Sequence, residues 1–213
     1  VFLVRLLAEY ARVHAPLGAT RLQEPTLGDP LPVRRRGRLI SQDLANSALE
    51  AGAITRALDG REPTSILEIG AGYGRLAYVL LSLYPGASYT IVDIEPALTI
   101  TRWYLSSQFA PERLRFLSPD EATGLADGSV DLGVAISSLH EMTQAQVEGY
   151  LGLLDRVASG GSVYLKQWAQ WSNPADGITL RFADYPIPLR WELHFREPAP
   201  VQTAFQHAGW RVP

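Results

Sequence analysis

The residues best placed to do chemistry lie at residues 66–74, where the sequence is Ile-Leu-Glu-Ile-Gly-Ala-Gly-Tyr-Gly. Apolar residues lead into an acid, and Gly70, Gly72 and Gly74 follow at alternate positions. We interpret this stretch as a buried strand that turns sharply under a ligand and enters a helix, because a Cβ would block close approach of the backbone. The spacing differs from that of a dinucleotide-binding loop, whose third glycine would fall at Arg75.

A second acid and a histidine follow later apolar runs. Asp93 ends the run Ile91-Val92, and His140 and Glu141 come soon after a predicted strand at 130–137. Histidine has an ordinary pKa of about 6.5, so His140 can act as a general base near neutral pH. The alternative is a histidine that only packs or caps. Glu141 can orient the imidazole, hold a substrate hydroxyl or bind a metal, or it can simply complement the dipole of a helix.

The hydrophobic periodicity predicts the elements that must position these residues. Strands are predicted at 65–69, 88–93, 114–117, 130–137 and 162–166, and helices at 1–14, 41–58, 73–83, 96–109 and 144–158. This alternation predicts an α/β fold of the Rossmann-like kind, a mostly parallel twisted sheet with helices on both faces.

The last part of the chain departs from simple alternation. Short strands are predicted at 178–183 and 191–196, followed by a helix at 201–208 that Gly209 would end. The antiparallel strands that usually close such a sheet are therefore either incomplete here or replaced by a hairpin at 178–196.

Two segments are predicted to lie outside the regular alternation. Residues 1–40 would form an N-terminal helix and a lid-like, proline-rich loop, and residues 41–213 the main domain, with a substrate cover at about 168–200. Residues 15–40 are expected to be a loop or lid rather than part of the core. The arginines at 34–36 and at Arg38 indicate either a solvated loop or a contact for an anion or carbohydrate near the site.

Composition limits the class of protein. The chain has 213 residues, a net charge of −3 and no cysteine, and its pI is about 5.8. A domain of this size can bury a substantial core. Nucleic acid is an unexpected partner for an acidic chain, and no apolar run reaches the roughly 18 residues of a membrane span. The absence of cysteine excludes disulfides and is compatible with a cytoplasmic protein.

The glycine loop with its preceding acid resembles motif I of the class I methyltransferases that use S-adenosylmethionine (SAM). The resemblance implies SAM as cofactor, with Asp93 accepting hydrogen bonds from the ribose hydroxyls and the turn after the third strand binding the adenine. The cofactor-binding residues that it implies are Glu68, Gly70, Ala71, Gly72, Tyr73, Asp93, Ile94, Ser118, Asp120, Glu121 and Ser137.

From about residue 40 onward the chain resembles a narrower family, the bacterial sugar O-methyltransferases of the nanchangmycin-cluster type. The motifs that carry this resemblance are Ser-Gln-Asp-Leu at 41–44, Ser-Ser-Leu-His-Glu-Met at 137–142, Tyr-Leu-Lys-Gln-Trp at 164–168 and Tyr-Pro-Ile-Pro at 185–188. It implies methyl transfer to a hydroxyl of a sugar or glycoside, for which a methylated mannoside is one candidate. The implied substrate-binding residues are Gln42, Lys166, Gln167, Trp168 and Trp191.

Several alternatives stay open. Mg²⁺ is an optional second cofactor, because Asp43 and Glu141 offer the hard oxygen ligands that it prefers. The acceptor hydroxyl can instead belong to a polyketide, a phenol or another small molecule. A SAM-binding protein without catalytic activity is the non-enzyme alternative, and a homodimer is one assembly open to the chain.

Overall fold

The computed structural model describes residues 1–172 and 177–213 and contains α-helices, short 3₁₀ turns and β-strands. The helices are α1 Phe2–His14, α2 Leu17–Arg21, α3 Gln42–Ala57, α4 Arg75–Leu83, α5 Ala97–Ser106, α6 Pro119–Ala122 and α7 Gln144–Val157. The strands are β1 Val33–Arg35, β2 Arg38–Ile40, β3 Ser65–Ile69, β4 Ser88–Val92, β5 Leu114–Leu117, β6 Leu132–Ile136, β7 Ser162–Trp168, β8 Gln170–Ser172, β9 Thr179–Arg181, β10 Glu192–Pro198 and β11 Phe205–Arg211.

A seven-stranded sheet forms the centre of the fold, with strand order β10-β11-β7-β6-β3-β4-β5. The strands from β7 to β5 are parallel, and β11 and β10 add an antiparallel edge. The chain starts the sheet at β3, builds outward through β4 and β5, and returns to place β6 on the other side of β3. The predicted Rossmann-like α/β fold is therefore confirmed.

Helices cover both faces of this sheet, and β3 shows why. Ile66 packs into one hydrophobic core with α3, α4 and α5, whereas Leu67 and Ile69 pack into a second core with α7. Successive side chains of a strand point to opposite faces, so a strand buried on both faces is apolar throughout. This explains why the parallel strands were visible in the sequence as mostly apolar runs.

The predicted helix at 201–208 is wrong. Residues 205–211 form β11, which lies between β7 and β10 and pairs antiparallel with both. Gly209 does not end a helix. It sits in the middle of a strand, where a Cβ would lie 2.6 Å from Ala57 Cβ and 2.8 Å from Phe195 Cε1. The closing antiparallel strands are thus present, formed by β10 and β11 rather than by a hairpin at 178–196.

The prediction that residues 15–40 lie outside the core is also wrong in part. This segment contains α2 and the β1–β2 hairpin, and it buries Ala19, Glu24 and Ile40. Its arginines fasten the segment to its neighbours: Arg35 lies 2.5 Å from the Glu9 carboxylate of α1, and Arg38 donates to the carbonyl of Thr20. These contacts give the basic run a structural role.

The outer face of α1 is apolar and exposed, while Leu7 and Ala11 pack inward. Across the described residues, every helix is too short or too polar to cross a membrane. The division of the chain at residue 40 and the cover at 168–200 stay predictions, and residues 173–176 of that cover lie outside the described residues.

Candidate active site

A cleft of about 950 Å³ opens at the carboxyl ends of the parallel strands. It lies at the ends of the neighbouring strands β3 and β6, where the strand order of the sheet reverses, which is the place at which ligands bind in open α/β sheets. Its lining residues come from the glycine loop, the ends of β4 and β6, the start of α5 and α6, and α7. They include Gly70, Gly72, Tyr73, Asp93, Ile94, Asp120, Ser137, Ser138 and Glu141.

The three glycines of the loop all have a positive φ, at 74° for Gly70, 57° for Gly72 and 93° for Gly74. The surroundings of their Cα atoms differ. A Cβ on Gly70 would lie 2.4 Å from Ser138 Cβ, and one on Gly74 would lie 3.0 Å from Thr101 Cγ2. Gly72 alone among the three faces open space. The predicted reason, close approach to a ligand, therefore applies to Gly72, whereas Gly70 and Gly74 are required by protein packing.

Asp93, which directly follows β4, hydrogen-bonds to the glycine loop. Its Oδ2 accepts from the backbone N–H of Gly72 at 3.1 Å, and its Oδ1 accepts from the N–H of Ile94 at 2.8 Å. Burial raises the pKa of Asp93, and these backbone donors partly oppose that effect. The buried Thr101, which no pattern in the sequence indicated, also holds the loop, because its hydroxyl donates to the carbonyl of Gly72.

The turn after β5 contains Ser118, Asp120 and Glu121, the three residues predicted to bind adenine, and their contacts differ. Ser118 and Glu121 form a capping box for α6, since Ser118 N–H donates to Glu121 Oε2 at 2.8 Å and Glu121 N–H donates back to Ser118 Oγ. Asp120 instead lines the cleft. Of the three predicted residues, Asp120 is the one that the structure brings to the ligand side, and the other two serve the helix terminus.

Glu68 does not line the cleft, contrary to the prediction. Its side chain lies inside the protein, where Oε2 accepts a hydrogen bond from Tyr89 at 2.7 Å. Burial raises the pKa of Glu68 to about 8. The carboxyl is therefore a neutral group of the core near pH 7 rather than an anion that holds the cofactor.

His140 lies in a short 3₁₀ turn after β6 and is only 3% exposed. Its Nδ1 lies 3.0 Å from Gln167 Oε1, and the same oxygen accepts from the backbone N–H of Ser138 at 3.1 Å. Gln167 Nε2 donates to the carbonyl of Ala135 at 2.9 Å, which fixes the orientation of the amide. Nδ1 must then carry the hydrogen, so Nε2 holds the lone pair and faces Glu141 Oε1 at 3.8 Å.

Gln167 was predicted to bind substrate, and the structure contradicts this. Its side chain is completely buried, and its amide is engaged by the turn that carries His140. Gln167 therefore positions the imidazole of His140 and does not itself line the cleft.

Three aromatic side chains, Trp168, Trp171 and Phe205, surround the His140 ring and are called the aromatic cluster below. Their ring centroids lie 6.5, 5.4 and 6.4 Å from that of His140. Trp168 also packs on Phe205 at 4.8 Å. The cluster comes from β7, β8 and the start of β11, and it explains why His140 is almost fully covered.

A second cavity of about 420 Å³, the polar pocket, adjoins the cleft, and the two share Tyr73 and Ser137 as lining residues. Its lining residues are Asp43, Asn46, Ser47, Glu50, Tyr73, Arg75, Ile136, Ser137, Lys166, Gln202 and Phe205. Lys166, a predicted substrate ligand, lines this pocket but is already paired, 2.6 Å from Glu50 Oε1 and 2.5 Å from Gln202 Oε1. Ser137 adopts a left-handed backbone with φ of 52°, a strained conformation of the kind that clusters at functional sites.

Two other predicted substrate residues lie elsewhere. Trp191 belongs to the core, where its Nε1 donates to Asp155 Oδ1 at 2.7 Å and its ring packs on Trp210. Gln42 is exposed at the first turn of α3, outside the residues described as lining the cleft or the polar pocket.

The predicted Mg²⁺ ligands are not brought together. Asp43 lines the polar pocket and accepts from the Tyr73 hydroxyl at 2.7 Å, whereas Glu141 lines the cleft. Within residues 1–172 and 177–213, no group of three or more histidines or acids is arranged to hold a metal ion. The structure therefore gives no support to a metal site at these residues.

Comparison with known proteins agrees with this geometry. A family model described as a methyltransferase domain matches residues 67–165, from β3 to β7. The matched segment contains the glycine loop, Asp93 and the turn that carries His140, so the chain is similar to a methyltransferase domain over the residues that form most of the cleft.

Among individual proteins, the chain is 26% identical over 164 residues to acetylserotonin O-methyltransferase of Bos taurus, covering 76% of this chain and 47% of that protein. It is 37% identical over 86 residues to malonyl-(acyl-carrier protein) O-methyltransferase of Geobacter sulfurreducens strain PCA, covering 40% of this chain and 32% of that protein. The chain thus spans less than half the length of either relative. The fold is similar to that of the 4+2 cyclase SpnF, with a TM-score of 0.60, 14% identity and coverage of 78% of this chain and 83% of that one.

Proposed function

We propose that this protein transfers the methyl group of SAM to a hydroxyl of a small-molecule acceptor. The observation that carries the proposal is the convergence of the glycine loop, Asp93 and the His140 turn on one cleft at the switch point of the sheet. The similarity of the chain to two O-methyltransferases supports the same reaction.

In this proposal, one set of residues binds SAM and another residue removes the proton of the acceptor hydroxyl. SAM, when bound, supplies an activated methyl group whose sulfur is already a good leaving group. Gly72 leaves room for the cofactor, Asp93 would accept from its ribose hydroxyls, and Ile94 and Asp120 would border its adenine. His140 then takes the acceptor's hydroxyl proton at Nε2, the nitrogen that Gln167 leaves with its lone pair.

For the acceptor we propose a sugar or glycoside, such as a methylated mannoside. The motifs shared with the sugar O-methyltransferases support this, as does the polar lining of the second cavity, where Asn46, Ser47 and Gln202 can hydrogen-bond to hydroxyl groups. A second candidate is an aromatic or polyketide hydroxyl compound. The aromatic cluster beside His140 favours it, since its rings can stack on a planar acceptor.

The test begins with calorimetric titration of SAM, followed by a panel of methyl glycosides and phenols scored for S-adenosylhomocysteine release with and without EDTA. Turnover of one acceptor class supports that class, and loss of turnover in EDTA would revive the Mg²⁺ option. SAM binding without turnover of any acceptor would favour a non-catalytic SAM-binding protein.

The base assignment has its own test. His140→Gln should leave SAM affinity unchanged and lower turnover by roughly 10²–10⁴, the usual contribution of a positioned base. His194→Gln, at an exposed histidine of β10, serves as the matched control. Near wild-type turnover in His140→Gln would place the base elsewhere.

We further propose that segments 15–40 and 168–196 cover the acceptor site. The observation that supports this cover is that Trp171 of β8 lies against the His140 ring, with the two ring centroids 5.4 Å apart. Hydrogen exchange in both segments should slow when SAM and an acceptor bind. Equal exchange in the free and liganded protein would contradict the cover. Sedimentation would test the homodimer expected for the chain.

A further inference from the structure

Arg75 is an unusual residue to find buried at the start of a helix. It occupies the first position of α4, and its side chain is only 7% exposed. A cation at this end opposes the helix dipole, and burial removes its hydration, so both effects need compensation. The Glu24 carboxylate, with a side-chain exposure of 0%, supplies it through a direct ion pair with Arg75 Nη2.

The same guanidinium also holds a residue of the glycine loop. Arg75 Nε donates to the Tyr73 hydroxyl at 3.1 Å, and that hydroxyl donates to Asp43 Oδ2 at 2.7 Å. The direction of this chain is fixed, because an arginine has donors only. Burial raises the pKa of Tyr73, so the phenol stays protonated and keeps donating.

Tyr73 lies where the cleft and the polar pocket meet. It lies between Gly72 and Gly74 in the loop, and its side chain lines both the cleft and the polar pocket. A change in the position of this ring would therefore change the wall of the cleft beside Gly72.

Glu24 reaches this site from the N-terminal segment, which lies outside the matched methyltransferase domain. Its own N–H donates to the carbonyl of Leu39 at 2.9 Å, and the Tyr78 hydroxyl donates to the carbonyl of the preceding Gln23 at 3.0 Å. The carboxylate is thus presented by a stretch that is held at both the hairpin and α4.

We infer that the Glu24–Arg75 ion pair is a positioning device for Tyr73, by which the N-terminal segment sets the affinity of the cleft for SAM. The inference rests on the proposed function, because it assumes that SAM binds in the cleft. Neither Glu24 nor Arg75 is assigned a contact with the cofactor, and both act through the phenol.

The test replaces the pair by apolar residues, Glu24→Leu with Arg75→Met, and measures SAM affinity by calorimetry. Such replacement of a buried ion pair is often neutral or stabilising, so the melting temperature should stay close to wild type or rise. SAM affinity should nevertheless fall by roughly five- to tenfold, because Tyr73 loses the donor that orients it. Tyr73→Phe should weaken binding similarly, and adding it to the double variant should produce no further loss.

A purely structural pair would behave differently: SAM affinity would be unchanged in the double variant, or the effect of Tyr73→Phe would add to it in full, and either result overturns the inference. Glu24→Gln, compared with wild type below its own melting temperature, gives the same readout should the apolar pair not fold. Glu9→Gln is the matched control, since it weakens the ion pairs of Glu9 with three arginines of the N-terminal segment without touching the loop, and SAM affinity should not change. A wild-type protein that binds no SAM would instead refute the proposed function.

Discussion

Replacing Glu68 by glutamine should change how the stability of this protein depends on pH. The carboxyl is buried, accepts from Tyr89 at 2.7 Å, and has a pKa raised from 4.5 to about 8. An acid with a raised folded-state pKa keeps its proton on folding. Between those two pH values the native state therefore binds more protons than the unfolded chain, and the contribution of Glu68 to stability falls as the pH rises.

The magnitude follows from the linkage relation. One proton retained on folding corresponds to a loss of about 1.4 kcal/mol in the free energy of unfolding for each pH unit between the two pKa values, with no change below the lower or above the higher. Glu68→Gln keeps an amide oxygen that can accept from Tyr89 and removes the titration. The variant should therefore gain stability relative to wild type as the pH rises, with the largest gain above about pH 8.

Urea denaturation of both proteins from about pH 5 to about pH 9 measures this difference. The difference between the two curves is needed because burial lowers the pKa of His207, which makes that residue contribute with the opposite sign in an overlapping range. Glu112→Gln, at an exposed glutamate, controls for loss of one negative charge. Parallel stability curves for wild type and Glu68→Gln would refute the assignment of a neutral, buried Glu68.

Three further predictions test the site and the sheet. Asp93→Ala should weaken SAM binding by about 1.5–3 kcal/mol, the contribution of a hydrogen bond to a charged group, and unchanged calorimetric affinity would contradict its role. Gly209→Ala should lower the free energy of unfolding by about 1–3 kcal/mol through overpacking against α3. Gly152→Ala, in α7 with open space around it, should instead be neutral or stabilising in the same urea titration. Gln167→Glu, which can only accept at His140 Nδ1, should retain most of the turnover that Gln167→Leu loses. Equal turnover in the two Gln167 variants, both shown by melting to be folded, would mean that the tautomer of His140 is set in another way.

Most of the parallel sheet could be predicted from the sequence because its inner strands are buried on both faces and its edge strand 114–117 is apolar at three of its four positions. Strands 65–69 and 114–117 were predicted with the bounds that the structure has. Strand β11 could not be, because Gly209 resembles a helix terminator along the chain, and the reason for a glycine there is contact with Ala57 and Phe195 from other elements. The pattern of residues 201–208 along the chain favours a helix, but packing and strand pairing with other elements favour a strand, and the structure has the strand.

The candidate site shows the same division. The glycine loop and Asp93 were found because their spacing along the chain is short and their chemistry is local. The buried pairs Glu24–Arg75 and Glu50–Lys166 join residues 51 and 116 positions apart, so no local pattern indicates that either partner is engaged. Lys166 was consequently predicted to bind substrate, whereas its charge is already compensated by Glu50 inside the protein.

The proposed cofactor site and the proposed acceptor site are formed by different parts of the chain. The proposed SAM-binding half of the site, formed by the glycine loop and by the residues that follow β4, β5 and β6, lies within residues 67–165, the segment that matches the methyltransferase domain. The polar pocket and the aromatic cluster draw Asn46, Gln202, Trp171 and Phe205 from outside that segment. A fold can host many reactions, and function resides in the groups that are added to it. Similarity within the matched segment therefore carries information about SAM and little about the acceptor, so the acceptor has to be established from the residues that α3, β8 and β11 bring to the carboxyl end of the sheet.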